Sequence, residues 1–245
     1  WGRLLSEYPQ DVFNSAKIEK IIDKEITIKT YVDRFYKILE QFQDKKYADL
    51  FLSKVNKIMN LEKNMGNFKK DLQLTRKIAL SLFRIMRYKD EYEVARLHTS
   101  GEFAQNFLKQ NQGEKLEFYL APPLFSKKDP ETGHLKKHRF GQWVFNIFKI
   151  LSKFKFLRGS KFDVFGYTDE RKRERQLVQK ILYTVDQIYE NLNENNHSQI
   201  IEFLEIPLSI KGYGHVKEKS MDKAELDWKT NFEKIINNKT LKKVS

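Results

Sequence analysis

The residue types that most often carry out chemistry in proteins are sparse in this sequence. Cysteine is absent, which excludes disulfides, thiol nucleophiles and iron–sulfur clusters ligated within the chain. His134 and His138 have the four-residue spacing of two metal ligands on a helix, but they follow a turn sequence and no third ligand is nearby. Gly212-Tyr213-Gly214 is too short for a phosphate-binding loop and is typical of a turn. No serine, histidine and acid share a recognisable nucleophile context, so the residue types do not indicate catalysis by this chain alone.

Positive charge is the clearest chemical signal. The 245 residues carry a formal charge of +13, and between Lys127 and Arg175 there are 14 lysines and arginines against 6 acidic residues. Such a field attracts phosphate-bearing ligands, nucleic acid, anionic membranes or acidic protein surfaces; the alternative is a lysine-rich surface that only maintains solubility. No helix-turn-helix, zinc-finger or RNA-recognition signature accompanies the charge, which argues against nucleic acid. The candidate contacts with an anion or a partner are Lys127, Lys128, Lys136, Arg139, Arg158 and Arg171.

Helices are the elements expected to position these residues. Hydrophobic residues make up 40% of the chain and can fill a core, while only 5 prolines and 10 glycines leave few places for tight turns. Apolar residues recur at three- and four-residue steps, the spacing of one helical face. The helices predicted in this way are Ile28–Phe42, Tyr47–Ile58 (alternatively one bent helix with the first), Leu72–Met86, Trp143–Leu157, a helix capped by Thr168 and running to Leu192, Ile200–Glu205 ended by Pro207, and a last one capped by Ser220 and running to Ile236.

The middle of the chain has a different pattern. Lys115–Leu120 alternates polar and apolar residues, Asp129–Gly133 has the composition of a β-turn, and His134–Phe140 can return as a partner strand. The predicted fold is therefore mainly α, a helical domain with a small β-hairpin in the middle. We expect a single domain that is helical over 1–110, holds short strands and the basic segment over 111–165, and is helical again over 166–245.

Two interpretations are open for the segment from Trp143 to Leu157. Its broad aromatic face, with Lys149, Lys153 and Lys155 around it, fits either packing in the core or a helix on a membrane surface, and core packing is the preferred interpretation. No apolar run approaches the roughly 20 residues of a membrane span. Because the chain begins Trp1-Gly2-Arg3 without a leader or an initiator methionine, we expect it to be a piece of a longer protein.

Five segments, in order, carry a resemblance to a known family. They are Tyr88–Thr99; Phe118–Leu124; Lys128–Gly133 with Phe140-Gly141 and Trp143; Leu157–Gly159, Phe162-Asp163 and Phe165–Thr168 with Glu170-Arg171 and Glu174-Arg175; and Ile210–Lys217. Together they resemble the C-terminal region of the fused indolepyruvate ferredoxin oxidoreductases, which belong to the 2-oxoacid:ferredoxin oxidoreductases. Val164 departs from the family's usual proline-containing form of its segment.

The resemblance implies a function for the whole enzyme. Such an enzyme oxidatively decarboxylates arylpyruvates or other 2-oxoacids to acyl-CoA, using thiamine diphosphate, magnesium, iron–sulfur clusters and ferredoxin. It places this chain after the catalytic parts, with no catalytic, cofactor or metal residue of its own. The implied partners are the remaining domains or subunits of a homo-oligomeric, cytoplasmic oxidoreductase, with ferredoxin or coenzyme A as further ones.

The polar residues of the first and last segments are candidates for a structural network. Glu93 and Arg96 can pair at i,i+3, and Asp90 and Glu91 can bind a neighbouring loop. His215, beside two glycines, is either a functional donor or the anchor of a turn, and the anchor is preferred.

The positive charge of the chain also allows a second function of another class. In that interpretation the chain is an independent basic module that binds nucleic acid or an anionic membrane surface with steep salt dependence.

Overall fold

Helices form most of the described chain, and a single two-stranded antiparallel hairpin accompanies them, which confirms the mainly α prediction. The computed structural model describes residues 26–68, 71–99, 117–120, 136, 138–212 and 214–237. Its helices are α1 (Ile28–Phe42), α2 (Lys45–Asn64), α3 (Gln73–Met86), α4 (Glu91–Thr99), α5 (Val144–Leu151), α6 (Asp169–Asn191), α7 (His197–Phe203), α8 (Glu205–Ser209) and α9 (Gly214–Asn237). Short 3-10 helices span Gly66–Phe68 and Ser152–Leu157, and the strands are β1 (Phe118–Leu120) and β2 (His138–Phe140).

Side-chain caps fix where several helices begin. Thr27 accepts a hydrogen bond from the backbone N–H of Thr30 at the start of α1, and Asp44 accepts one from Tyr47 at the start of α2. The cap at Asp44 separates α1 from α2, so the first two predicted helices are two and not one bent helix. The predicted cap of α6 is present, since the Thr168 hydroxyl accepts from the backbone N–H of Arg171.

Two predicted helix ends are wrong. Pro207 lies inside α8 because the first turn of a helix does not need the N–H that proline lacks. Ser220 lies inside α9, where its hydroxyl is 2.8 Å from the carbonyl oxygen of Lys217 and accepts from the backbone N–H of Lys211. The helix predicted to end at Leu157 does end there, but only Val144–Leu151 is α-helical, and Ser152–Leu157 is the tighter 3-10 helix.

The main hydrophobic core lies between α1, α2, α3, α6, α7 and α9. The rings of Phe35 on α1 and Phe83 on α3 stack with centroids 4.0 Å apart. Trp228 of α9 is buried, and its indole N–H donates to the Thr184 hydroxyl of α6 at 3.2 Å. The last helix is therefore tied to the core by an aromatic anchor whose single donor is satisfied.

A smaller apolar cluster of Ala95, Val144 and Phe148 lies beside the hairpin. In the hairpin Tyr119 is paired with Arg139, as the predicted antiparallel return requires. The predicted turn at Asp129–Gly133 falls outside the described residues. Among the described residues, no helix combines the length and apolarity needed to cross a bilayer.

One buried carboxylate holds the start of α3. Leu72, the residue before the helix, has a left-handed φ of 44°, a strained conformation for leucine. Glu62 of α2 is fully buried and accepts hydrogen bonds from the backbone N–H groups of Leu74 (3.0 Å) and Thr75 (2.8 Å). His197 approaches the same carboxylate at 2.9 Å. Glu62 thus occupies the positive end of α3 from a neighbouring helix.

Replacing this carboxylate by its amide should be costly. We expect Glu62→Gln to lower the free energy of unfolding by about 3 kcal/mol, because one amide group cannot accept from all the donors that converge on it. Chemical denaturation followed by circular dichroism measures the loss. Glu202→Gln, on the exposed face of α7, is the matched control and should change little. Equal stability of the two variants would contradict this role for Glu62.

Candidate functional site

A buried ion pair joins the start of α4 to the end of α1. Arg158 donates to Asp90 through Nε (2.5 Å) and Nη2 (2.8 Å), and both side chains are only 4% exposed. Arg158 also donates to the carbonyl oxygen of Phe42, and its guanidinium lies 3.7 Å from the centroid of the Phe42 ring. Asp90 in turn accepts from the backbone N–H of Glu93 in the first turn of α4. The pair therefore bridges two helix ends of opposite polarity.

Lys155 gives the end of α1 a second cation. Its ammonium group donates to the carbonyl oxygens of Glu40 (3.1 Å) and Gln41 (2.7 Å). Burial lowers the pKa of Lys155, and the neighbouring positive charges of Arg158 and Arg96 lower it further. Two cations of the basic segment, Lys155 and Arg158, thus bind the carbonyl oxygens at the C-terminal end of α1.

The loop from Gly159 to Tyr167 is organised around the buried carboxylate of Asp163. This carboxylate accepts from the backbone N–H groups of Gly159 (2.8 Å) and Gly166 (3.0 Å) and from the Tyr92 hydroxyl (3.2 Å). Burial and the Asp163 charge raise the pKa of Tyr92, which keeps the phenol protonated as the donor. Arg175 lies 4.0 Å from Asp163 and donates to the carbonyl oxygen of Gly166. The Tyr92 hydroxyl of α4 and the Arg175 side chain of α6 therefore hold the buried side of the loop against these two helices.

A third set of charges connects α4, α6 and α9. Arg171 of α6 pairs with Glu91 (3.3 Å) and with Glu174, and Glu174 pairs with Lys217 of α9. Burial raises the pKa of Glu91, and the charge of Arg171 opposes that shift. We call Asp90, Glu91, Arg158, Asp163, Arg171, Glu174 and Lys217, together with Tyr92, the ion-pair network. It links segments that are far apart along the chain.

The structure places the predicted network residues together. Glu93 and Arg96 pair at 2.7 Å, as their spacing predicts, and Arg96 reaches Gln41 of α1 at 3.2 Å. Asp90 and Glu91 bind residues of the 158–171 region. His215 lies in the first turn of α9, and its side chain is outside the described residues.

The predicted anion contacts separate into different environments. Arg158 and Arg171 are buried and paired with carboxylates, so the structure does not present them to solvent as an anion contact requires. Lys136 is exposed, and Arg139 pairs with Glu117 across the hairpin at 3.2 Å on the surface. Lys127 and Lys128 lie outside the described residues.

A cleft of about 300 Å³ lies beside the network, between the end of α3, the first half of α6, and residues 207–217, which include the start of α9. Among the described residues, five cations and one acid line it: Arg84, Arg87, Lys89, Lys211, Lys217 and Glu174. We call it the cationic cleft. The charge count between Lys127 and Arg175 missed it, because its cations come from outside that range. The sequence signal that could have pointed to it is the occurrence of Lys89 in the first and of Lys211 and Lys217 in the last of the five segments.

A second cleft, of about 250 Å³, lies under the 159–167 loop and includes Asp163, Tyr167 and Arg175. Within the residues that the structure describes, no group of three or more His, Asp or Glu side chains is close enough to hold a metal ion.

Comparison with known proteins identifies a family. A family model described as a family of unknown function (DUF6537) matches residues 28–230, which is most of the chain. The chain belongs to this family. Comparisons with curated proteins and with solved structures gave no significant match. In this DUF6537 chain the matched region contains every member of the ion-pair network and every charged residue of the cationic cleft.

The central ion pair gives a direct test of the network. We expect Asp90→Asn to lower the free energy of unfolding by about 3 kcal/mol, because the buried Arg158 charge loses its partner while the size of the side chain is kept. Arg158→Met and the double variant complete a double-mutant cycle measured by chemical denaturation, and the double variant should lose less than the sum of the single losses.

The exposed Glu117–Arg139 pair is the matched control for this cycle. Its side chains are 43% and 68% exposed, so Arg139→Met should cost at most about 0.5 kcal/mol. Additive losses at positions 90 and 158 would contradict a coupled pair.

Gly166 tests how tightly the loop closes on Asp163. A Cβ at position 166 would lie 2.7 Å from Cγ of Asp163 and 3.0 Å from Nη1 of Arg175. Asp163 cannot retreat without losing its other donors, so Gly166→Ala should destabilise the chain by roughly 1–3 kcal/mol. Gly141→Ala is the control, since its Cβ would meet Trp143 no closer than 3.4 Å. Thermal melting compares the two, and equal melting temperatures would be the contrary result.

Proposed function

We propose that this chain is a non-catalytic structural and interaction domain of a 2-oxoacid:ferredoxin oxidoreductase of the indolepyruvate type. The resemblance of five ordered segments supports the enzyme class. The contacts support the role: Asp90, Glu91, Tyr92, Arg158, Asp163, Arg171, Glu174 and Lys217 all belong to those segments, and they bind one another. Their charges hold helices together, as expected of a framework and not of reacting groups.

The observation that carries the interaction role is a set of exposed apolar side chains within residues 143–167, the stretch that also holds Arg158 and Asp163 of the network; we call this set the apolar surface. We define it as Trp143, Ile147, Ile150, Phe154, Phe156, Phe162, Val164 and Tyr167. Phe162 is 76% exposed and Phe156 is 66% exposed, whereas Val144 and Phe148 of the same region are buried. Core packing, the preferred interpretation of this segment, therefore holds for the side of α5 that carries Val144 and Phe148 and not for the side that carries Ile147 and Ile150. Large apolar side chains that are exposed together within one short stretch favour a protein interaction site.

The charge around this surface indicates the kind of partner. Lys149, Lys153 and Lys161 are exposed within the same stretch, and its one acid, Asp163, is buried in the loop. Exposed apolar side chains accompanied by lysines complement a protein face that combines apolar and acidic side chains. We assign that face to another part of the same oxidoreductase. The exposed residues come from α5, a 3-10 helix and a loop, whereas a membrane-surface helix would present them along one continuous helix.

The rest of the proposed enzyme supplies the chemistry. Thiamine diphosphate, magnesium and iron–sulfur clusters would be held by its other domains or subunits, in a homo-oligomeric cytoplasmic assembly. Electrons would leave to ferredoxin, and coenzyme A would accept the acyl group. This chain would position those parts without contributing a reacting group.

Substitutions on the apolar surface test the interaction role. In the enzyme that carries this chain, Phe156→Ser and Phe162→Ser should leave the melting of the chain unchanged, because both side chains are largely exposed. They should loosen the assembly, measured by analytical ultracentrifugation, and reduce 2-oxoacid-dependent ferredoxin reduction. Leu226→Ser, at a position 70% exposed on α9, is the matched control.

Three outcomes would overturn the proposal. The first is unchanged assembly in both phenylalanine variants. The second is binding of the chain to anionic liposomes that Phe156→Ser abolishes, which would favour the membrane-surface module. The third is turnover of indolepyruvate by the isolated chain with thiamine diphosphate and a dye acceptor.

A further inference from the structure

The half-buried lysines of this chain generally have a partner that replaces the water they lose. Carboxylates bind three of them, and the backbone carbonyls at the end of α1 bind a fourth: Lys54, Lys77 and Lys217, and Lys155. Lys89 also has a partner. Lys180 of α6 differs from them, because no hydrogen bond or ion pair from a described residue reaches its side-chain nitrogen.

An aromatic ring lies where that partner would be. Nζ of Lys180 is 5.0 Å from the centroid of the Trp228 ring of α9, and the indole N–H fixes this ring by donating to Thr184. The indole face attracts a cation, but it offers no hydrogen-bond acceptor to the N–H groups of an ammonium ion. Among the described residues, Glu225 of α9 is the carboxylate that acts on Lys180, and Arg173 already pairs with it at 3.5 Å.

These surroundings favour the neutral amine of Lys180. Burial lowers its pKa, and the charge of Glu225 opposes that shift only in part. The neutral amine is the form of lysine that attacks an acyl carbon, since an ammonium ion has no lone pair. The nitrogen also remains accessible, because its neighbours Gln176, Gln179 and Tyr183 on α6 are exposed.

We propose that Lys180 is a site of N-acylation by acyl thioesters. Nζ attacks the carbonyl carbon of the thioester, a C–N bond forms as the C–S bond breaks, and the thiolate leaves. The amine releases one proton to solvent, and the step needs no oxidant or reductant. Thioesters are the acyl donors that suit an amine without a neighbouring base, because a thiolate, unlike an alkoxide, leaves readily near neutral pH.

The product fits the same place in the fold. The amide is uncharged, so it no longer requires the partner that Lys180 lacks, and its stem stays against the Trp228 ring. Lys180 lies outside the apolar surface. Its reactivity does not depend on the enzyme class proposed above.

Acetylation of the folded 245-residue chain by acetyl-CoA, followed by mass spectrometry of its peptides, tests the proposal. Lys180 should be acetylated several times faster than Lys172 and Lys223, which are exposed lysines of α6 and α9. Its rate should also level off at a lower pH than theirs, because its lowered pKa makes the amine available earlier as the pH rises.

Gln176→Glu and Gln179→Glu form a matched pair of variants. Glutamate at position 176 faces Lys180 four residues further on and stabilises its ammonium form, whereas position 179 points to another side of the helix. Gln176→Glu should therefore slow the acetylation of Lys180 by about twofold, the factor that corresponds to one i,i+4 ion pair, and Gln179→Glu should leave it unchanged. Both positions are exposed, so melting followed by circular dichroism should show that both variants fold.

Two results would overturn the proposal. One is acetylation of Lys180 no faster than that of Lys172 and Lys223. The other is an equal effect of the two glutamates, whether both slow the reaction or neither does, because the reacting amine would then not respond to its own neighbour.

Discussion

The ion pair between Asp90 and Arg158 is the contact on which the arrangement of this chain depends. Asp90 caps the positive end of α4, and Arg158 binds the last carbonyl of α1, so the pair joins two helix dipoles through one bidentate contact. The two residues lie 68 positions apart along the sequence. From this point the network continues through Tyr92 to Asp163 and through Glu91 to Arg171, Glu174 and α9.

Cations of the middle segment bind two kinds of partner within the chain, backbone carbonyl oxygens and buried carboxylates. Lys155 and Arg158 face the carbonyl end of α1, and Arg171 satisfies the acids of α4 and α6. A count along the sequence cannot separate these cations from the exposed lysines, because both groups have the same composition. The separation depends on which acids and carbonyls reach them in three dimensions, and burial of a cation requires such partners.

Helical periodicity predicted most of the helices, and polar–apolar alternation with a turn sequence predicted the hairpin. Each of these patterns is visible within a short stretch of sequence. The features that the sequence did not predict depend on distant contacts. Glu62 holds the start of α3 with help from His197, 135 positions away, and no local pattern marks either residue. The pair of Glu93 and Arg96 was predictable because both lie on one helix, whereas the cationic cleft needs α3, α6 and α9 in place before its charges meet. Pro207 was misread because proline is compatible with the first turn of a helix as well as with its end.

The loop around Asp163 inverts the usual distribution of polar and apolar residues. Its acid points inward and is satisfied by backbone donors, while its neighbours Phe162 and Val164 point outward, 76% and 57% exposed. Burial of apolar surface alone would favour the opposite orientation. Buried charges seldom add net stability compared with apolar replacements. Here the backbone donors of Gly159 and Gly166 fix the inward orientation of Asp163. In this loop the inward orientation of Asp163 leaves two large apolar side chains in water, an arrangement that is unfavourable for the chain by itself and that the interface we propose would relieve.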